Sequence, residues 1–140
     1  MPRLFFLIAP ILIVHLFSCS SDSGDNPVVL PEIIAQPISI EEGSDQRPLF
    51  VDLRLNKTSE EQVRFFVSTE NGTAEAGTDY VEIQGQEVVI QPGSSKEEVR
   101  IQILGDEEAE SDETFYLNIL DVEGASTSMP QVEITIENDD

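Results

Sequence analysis

Residues 63–80 read Val63-Arg64-Phe65-Phe66-Val67-Ser68-Thr69-Glu70-Asn71-Gly72-Thr73-Ala74-Glu75-Ala76-Gly77-Thr78-Asp79-Tyr80. The first half alternates. Val63, Phe65 and Val67 fall on one side of an extended chain, and Arg64, Phe66 and Ser68 on the other. A period of two marks a strand with one face against a core. The second half is a turn-rich loop that delivers a carboxylate, Asp79, beside an aromatic, Tyr80. Gly72 and Gly77 are expected to supply positive φ in that loop. Tyr80 reads as a core or corner aromatic.

The alternation recurs on both sides of this segment. Leu49, Val51, Leu53 and Leu55 alternate with Phe50, Asp52 and Arg54, and Val99, Ile101 and Ile103 with Arg100 and Gln102. Phe115, Leu117 and Ile119 alternate with Tyr116 and Asn118, and Val132, Ile134 and Ile136 with Glu133 and Thr135. With a first strand at Ile33–Ile40, where Pro37 marks an edge or a kink, and a short one near Glu87–Gln91, the expected strands span 33–41, 49–56, 62–69, 86–91, 97–104, 114–122 and 131–137. Asn71-Gly72, Gly85, Pro92-Gly93, Gly105-Asp106 and Gly124 punctuate them. No segment shows a helical period. Short strands with turns at this spacing predict an all-β antiparallel sandwich.

The 140 residues carry 28 Asp and Glu against 7 Lys and Arg, a net charge of −21. Nucleic acid is excluded as a partner, because such binding needs cations to replace phosphate counterions. The acid is clustered. Six of the eight residues 106–113 are acidic, Glu41-Glu42 closes the first strand, Asp79 follows the third, and Asp139-Asp140 follow the last. If neighbouring strands are antiparallel, the first, third, fifth and seventh end at the same end of the sandwich. Strand parity therefore gathers all four clusters there, provided that Tyr80–Ile83 adds no further strand. Two like charges 4 Å apart cost about 1 kcal/mol in water and about 4 kcal/mol near a protein surface. Calcium, a hard cation with roughly six to eight oxygen ligands, would neutralise such a cluster. A solvated acidic end that aids solubility is the other reading.

The N-terminus reads as an address. Arg3 precedes an apolar run, Leu4–Phe17, of about 14 residues, short of the roughly 20 that span a bilayer. The run closes Leu16-Phe17-Ser18-Cys19, which resembles a bacterial lipobox. The implied organisation is a signal peptide at 1–18, a lipidated Cys19 with a flexible linker to residue 29, and one domain at 30–140. This places the chain in the cell envelope, held to a membrane by lipid on Cys19 and facing the periplasm or the exterior. Removing residues 1–18 removes His15, the only histidine, and Cys19 is the only cysteine. Triad, dyad and His/Cys zinc chemistry are then excluded. Paired carboxylates remain, but a small domain without Trp makes a poor sugar cleft. No enzymatic activity is expected.

Several motifs in register resemble a Calx-beta domain: Asn71-Gly72-Thr73-Ala74 leading to Gly77-Thr78-Asp79-Tyr80, Pro92-Gly93, Asp112-Glu113-Thr114-Phe115, and the closing Val132–Asp140. The resemblance implies a seven-stranded immunoglobulin-like sandwich. It also implies calcium held at the loop end, as in the regulatory domains of sodium/calcium exchangers. The ligands it implies are Glu42 (rather than Glu41), Asp79, Asp106, Glu110, Glu113, Asp139 and Asp140. Gly105 and Asn138 stand where the exchanger domains carry acids. Roughly one to three ions, bound at about 10⁻⁴–10⁻³ M, are expected. Calcium would order an acidic tip pointing away from the membrane. With the sequence closing at Asp140, a sensing role is expected to need a protein partner in trans. A calcium-independent adhesion or scaffold module is the alternative.

Overall fold

The computed structural model describes residues 29–139. Among the described residues nine strands form: β1 (Glu32–Ile34), β2 (Ile38–Glu41), β3 (Arg47–Leu55), β4 (Val63–Asn71), β5 (Gln86–Ile90), β6 (Lys96–Ile103), β7 (Glu113–Glu123), β8 (Ser126–Thr127) and β9 (Gln131–Glu137). They make two sheets, ordered β6-β3-β1-β8 and β2-β9-β7-β4-β5. The apolar sets identified by alternation face each other between the sheets. Val63, Phe65, Val67, Leu53, Val99, Ile103, Phe115, Leu117 and Ile134 are all fully buried. The all-β sandwich is thus as expected.

Two details differ from the sequence reading. The expected first strand is divided. Its first half, β1, pairs antiparallel with β3, and its second half, β2, pairs parallel with β9 in the other sheet. Pro37 lies at the crossing, where its fixed φ and missing N–H suit a chain leaving one ladder for another. A two-residue strand, β8, also adds a parallel pair with β1. The sandwich is therefore antiparallel except at these two pairs.

The parity argument holds in three dimensions. β2 runs parallel to β9, and β9 and β4 are each antiparallel to β7. β6 and β1 are each antiparallel to β3. The chain therefore leaves β2, β4, β6 and β9 at one end. Tyr80–Ile83 adds no full strand. Val81 N–H donates to the Gln102 carbonyl (2.8 Å) and Leu104 N–H to the Asp79 carbonyl (2.9 Å), so the segment extends the edge of β6.

Candidate metal centre

Asp79 is placed by the core beneath it. Tyr80, fully buried, stacks on Phe115 with ring centroids 3.9 Å apart and planes at 11°. Its hydroxyl donates to Asn71 Oδ1, which also accepts from Ala76 N–H at 3.0 Å. The loop closes on itself where Glu75 N–H donates to Asp79 Oδ2 (2.6 Å) and Asp79 N–H to the Glu75 carbonyl (3.0 Å). Gly77 has the expected positive φ of 92°. Gly72 has another role. A Cβ there would lie 2.4 Å from the Thr114 carbonyl oxygen, so glycine lets the loop press against the start of β7.

Three further segments converge on Asp79. Glu113 begins β7, and the 104–112 loop brings Glu110 over it. One carboxylate oxygen from each of Asp79, Glu110 and Glu113 lies within 4.8 Å of the other two. Glu42, just past β2, is the only buried charged side chain among the described residues, and its neighbours are Asp106, Glu110, Asp79 and Asp139. Glu41, by contrast, is exposed, with its carbonyl accepting from Arg47. Asp139 Oδ1 accepts from Gly43 N–H at 2.8 Å, tying the end of β9 to the turn after Glu42. Asp106 is exposed and accepts from Glu108 N–H at 2.7 Å. Cys19 and Asp140 lie outside the described residues.

The latching role of two residues escaped the sequence reading. Asp112 Oδ1 accepts from Asn138 N–H (3.1 Å), and Asn138 Nδ2 donates to the Glu110 carbonyl (3.1 Å). Together they latch the acidic loop to the chain end. Only the β7–β9 register, with Glu113 opposite Ile136, brings them together. Gly105 also acquires a reason. A Cβ on it would sit 1.7 Å from the Gly43 carbonyl oxygen, so the missing side chain lets the 104–106 backbone lie directly on the Glu42-Gly43 turn.

Arg47 reaches this end, its Nη1 donating to the Glu41 carbonyl beside the Glu42-Gly43 turn, but among the described residues it forms no ion pair with a carboxylate. Among the described residues, the ion pairs join Arg54 to Asp52, Arg64 to Glu87 and Glu123, and Lys96 to Glu98, all away from the tip. The acidity consequently has a visible effect. Burial, reinforced by hydrogen bonding with and repulsion from Asp79 and by the charges of Glu110 and Glu42, pushes the Glu113 carboxyl up to about 7. Burial and then Asp106, Glu110, Asp79 and Asp139 push Glu42 up as well. A raised carboxyl leaves stability intact below about pH 4.5, where it is protonated folded or unfolded. That stability is lost as pH rises through the folded value. The metal-free protein should therefore melt lower at pH 7.5 than at pH 5. Glu113→Gln should show a shallower fall. Thermal melts across this range, in chelator, measure both slopes.

The donor set suits a hard cation. All the candidate ligand atoms are carboxylate oxygens, from more than one chain segment, which suits calcium rather than zinc or copper. Calcium–oxygen bonds of about 2.3–2.6 Å put ligands on opposite sides of an ion at most about 5 Å apart. The 4.8 Å span of the Asp79–Glu110–Glu113 oxygens lies within that limit.

The family model for the Calx-beta domain matches residues 25–140. The chain belongs to the Calx-beta family. Sodium/calcium exchanger 1 of Canis lupus familiaris is 41% identical over 58 residues, 41% of this chain and 6% of the exchanger. The sodium/calcium exchanger Calx of Drosophila melanogaster is 34% identical over 73 residues, 51% of this chain and 8% of the exchanger. This Calx-beta chain thus corresponds to less than a tenth of either relative. Among solved structures, the apo-form Calx CBD1 domain superposes with a TM-score of 0.69 at 23% identity, covering 79% of this chain and 99% of that one. The calcium binding domain CBD12 of CALX1.1 gives 0.64 at 26%, covering 73% and 42%. The Calx-beta sandwich fold is thereby established.

Proposed function

We propose that this Calx-beta domain is a non-enzymatic calcium-binding module in which the ion orders the acidic tip. The observation that carries the reading is the approach of Asp79 to Glu110 and Glu113, carboxylates from two separate segments, none of which forms an ion pair among the described residues. Glu42, Asp106, Asp139 and Asp140 complete the proposed ligand set. Without calcium the carboxylates repel and the 104–112 loop is held mainly by Asp112 and Asn138. With it, four chain segments share one charge centre. The name of the CBD12 relative, a calcium binding domain, supports the same reading.

The binding free energy adds to folding stability as RT ln(1 + [L]/Kd), about 1.8 kcal/mol when calcium is roughly twenty times Kd. For a domain of this size that raises Tm by about 7 °C. Melts in EDTA, in millimolar calcium and in matched magnesium test this. A rise with calcium alone is expected. An equal rise with both ions would leave charge screening, and the calcium-independent adhesion or scaffold module, as the explanation.

The cellular setting rests on the N-terminal residues. Arg3, the Leu4–Phe17 run and Cys19 support export and lipid anchoring in the cell envelope. β1 begins at the end opposite the acidic tip, so an anchor at Cys19 would leave the tip facing outward, toward a protein partner in trans. Mass spectrometry of the membrane-extracted protein should find a diacylglyceryl group on Cys19 and no residues 1–18. An unmodified N-terminus would contradict the anchor.

A further inference from the structure

β3 is hydrogen-bonded to β6 along its length, from Arg47 opposite Ile103 to Arg54 opposite Lys96. Its other edge is covered only at Arg54 and Leu55, opposite Ile34 and Ile33. Beyond Ile34 the chain crosses to the other sheet, leaving residues 48–52 of β3 with an edge that no other strand covers among the described residues. The alternation of the ladder says which groups face it. Leu55 N–H donates to the Ser95 carbonyl on the β6 side, whereas Asn56 N–H donates to the Glu32 carbonyl on the β1 side. Even-numbered residues therefore aim their backbone groups at the open edge: the N–H groups of Phe50 and Asp52 and the carbonyls of Pro48, Phe50 and Asp52. Pro48, with no N–H to satisfy, sits where an edge tolerates proline.

Beside this edge lies a groove of about 620 Å³, lined by Ile34, Ala35, Pro37, Ile38, Phe50 and Asp52 among others. Phe50 is 51% exposed and Ile34 42%. The crossover at Ala35–Pro37 and Ile38 of β2 line this slot on the side of the second sheet, and Phe50, Val51, Asp52 and Arg54 line it along β3. A second copy of this chain would bring the same net charge of −21 against it. A single extended segment enters without that conflict.

We propose that this slot binds an extended peptide segment of another protein by strand addition, antiparallel to β3 and in line with β1. Five backbone hydrogen bonds are on offer, two from N–H groups and three to carbonyls. Guest residues opposite Leu49 and Val51 face inward against buried apolar side chains and should be small and apolar. Guest residues opposite Phe50 and Asp52 face solvent. The one cation in the groove lining, Arg54, is already paired with Asp52. With a net charge of −21 around it, the slot favours a peptide with cationic flanks. Main-chain bonds supply affinity and alternate side chains supply selectivity in this mode of recognition.

The test uses the full chain in saturating calcium, so that the acidic tip is masked. The probe is a synthetic peptide of alternating serine and valine, serine outermost and opposite residues 48–52, with a lysine beyond each end of the ladder. Saturable binding by calorimetry is expected, with exchange of the Phe50 and Asp52 amide protons slowed at least about tenfold. N-methylating the serines, whose amides face β3, should weaken binding at least about tenfold. N-methylating the valines, whose amides face away, should leave it within about threefold. No saturable binding, equal loss from both methylated peptides, or unaltered Phe50 and Asp52 exchange would overturn the proposal. Binding indifferent to methylation and lost with added salt would overturn it too, because the peptide would then be adsorbed nonspecifically on the acidic surface.

Discussion

Replacing Glu113 by Gln is expected to move stability in opposite directions with and without calcium. In chelator at pH 7.5 the variant should melt above the parent. Glu113 is held there with its carboxyl raised to about 7 by burial, by Asp79 and by Glu110 and Glu42, and a neutral amide relieves that cost. In calcium the order should reverse. An amide offers one neutral oxygen in place of a charged, potentially bidentate carboxylate, and calcium affinity follows ligand charge. At least about a tenfold loss of affinity is expected, removing most of the calcium-dependent rise in Tm. Asp79→Asn should lose the calcium response as well. It sits in the same oxygen cluster, and its Oδ2 also holds Glu75 N–H. A purely structural role for Glu113 predicts a loss of the same sign in both conditions.

Gly105→Ala is expected to be the most damaging conservative change at the tip. The added Cβ would lie 1.7 Å from the Gly43 oxygen, 2.7 Å from its carbonyl carbon and 2.9 Å from the Glu42 oxygen. All three are backbone atoms, so no rotamer change relieves the overlap. The 104–106 segment and the Glu42-Gly43 turn must separate. Overpacking of this kind costs about 1–3 kcal/mol, or about 4–12 °C in Tm for a domain of this size. Separation also moves Glu42 away from Asp106, so calcium affinity should fall together with stability. Glu107→Ala, two residues further along the same exposed loop, should change neither by a measurable amount. Denaturation and calcium titration of both variants check this pairing.

The fold was legible because the core obeys a period of two. Every alternating apolar set read from the sequence, from Leu49 through Ile136, is buried between the sheets. Strand parity then placed the acidic segments at one end without any knowledge of pairing order. Pro37 was visible as an irregularity, but a proline does not say which sheet receives the chain after it. That depends on the parallel ladder of Ile38–Glu41 with Ile134–Glu137, a contact nearly a hundred residues away. The site was legible to a similar depth. Asp79, Glu110 and Glu113 come together as expected, and Glu42 turns inward where Glu41 does not. Asp112, Asn138 and Gly105 carried no readable signal of their roles. A latch between a side chain and a distant backbone N–H, or a close approach of two backbones, exists only once register is set. Gly105, which in the sequence subtracts a ligand, in the structure lets two of the converging segments touch.

Equilibrium dialysis with radiolabelled calcium at pH 7.4, against a tenfold excess of magnesium, measures the central claim directly. Saturable binding of at least one ion, half-complete at about 0.1–1 mM calcium and absent in Glu113→Gln over the same range, is the predicted result. Calcium that accumulates without saturation, or that magnesium displaces in proportion to its concentration, would contradict it and leave the tip a solvated acidic surface.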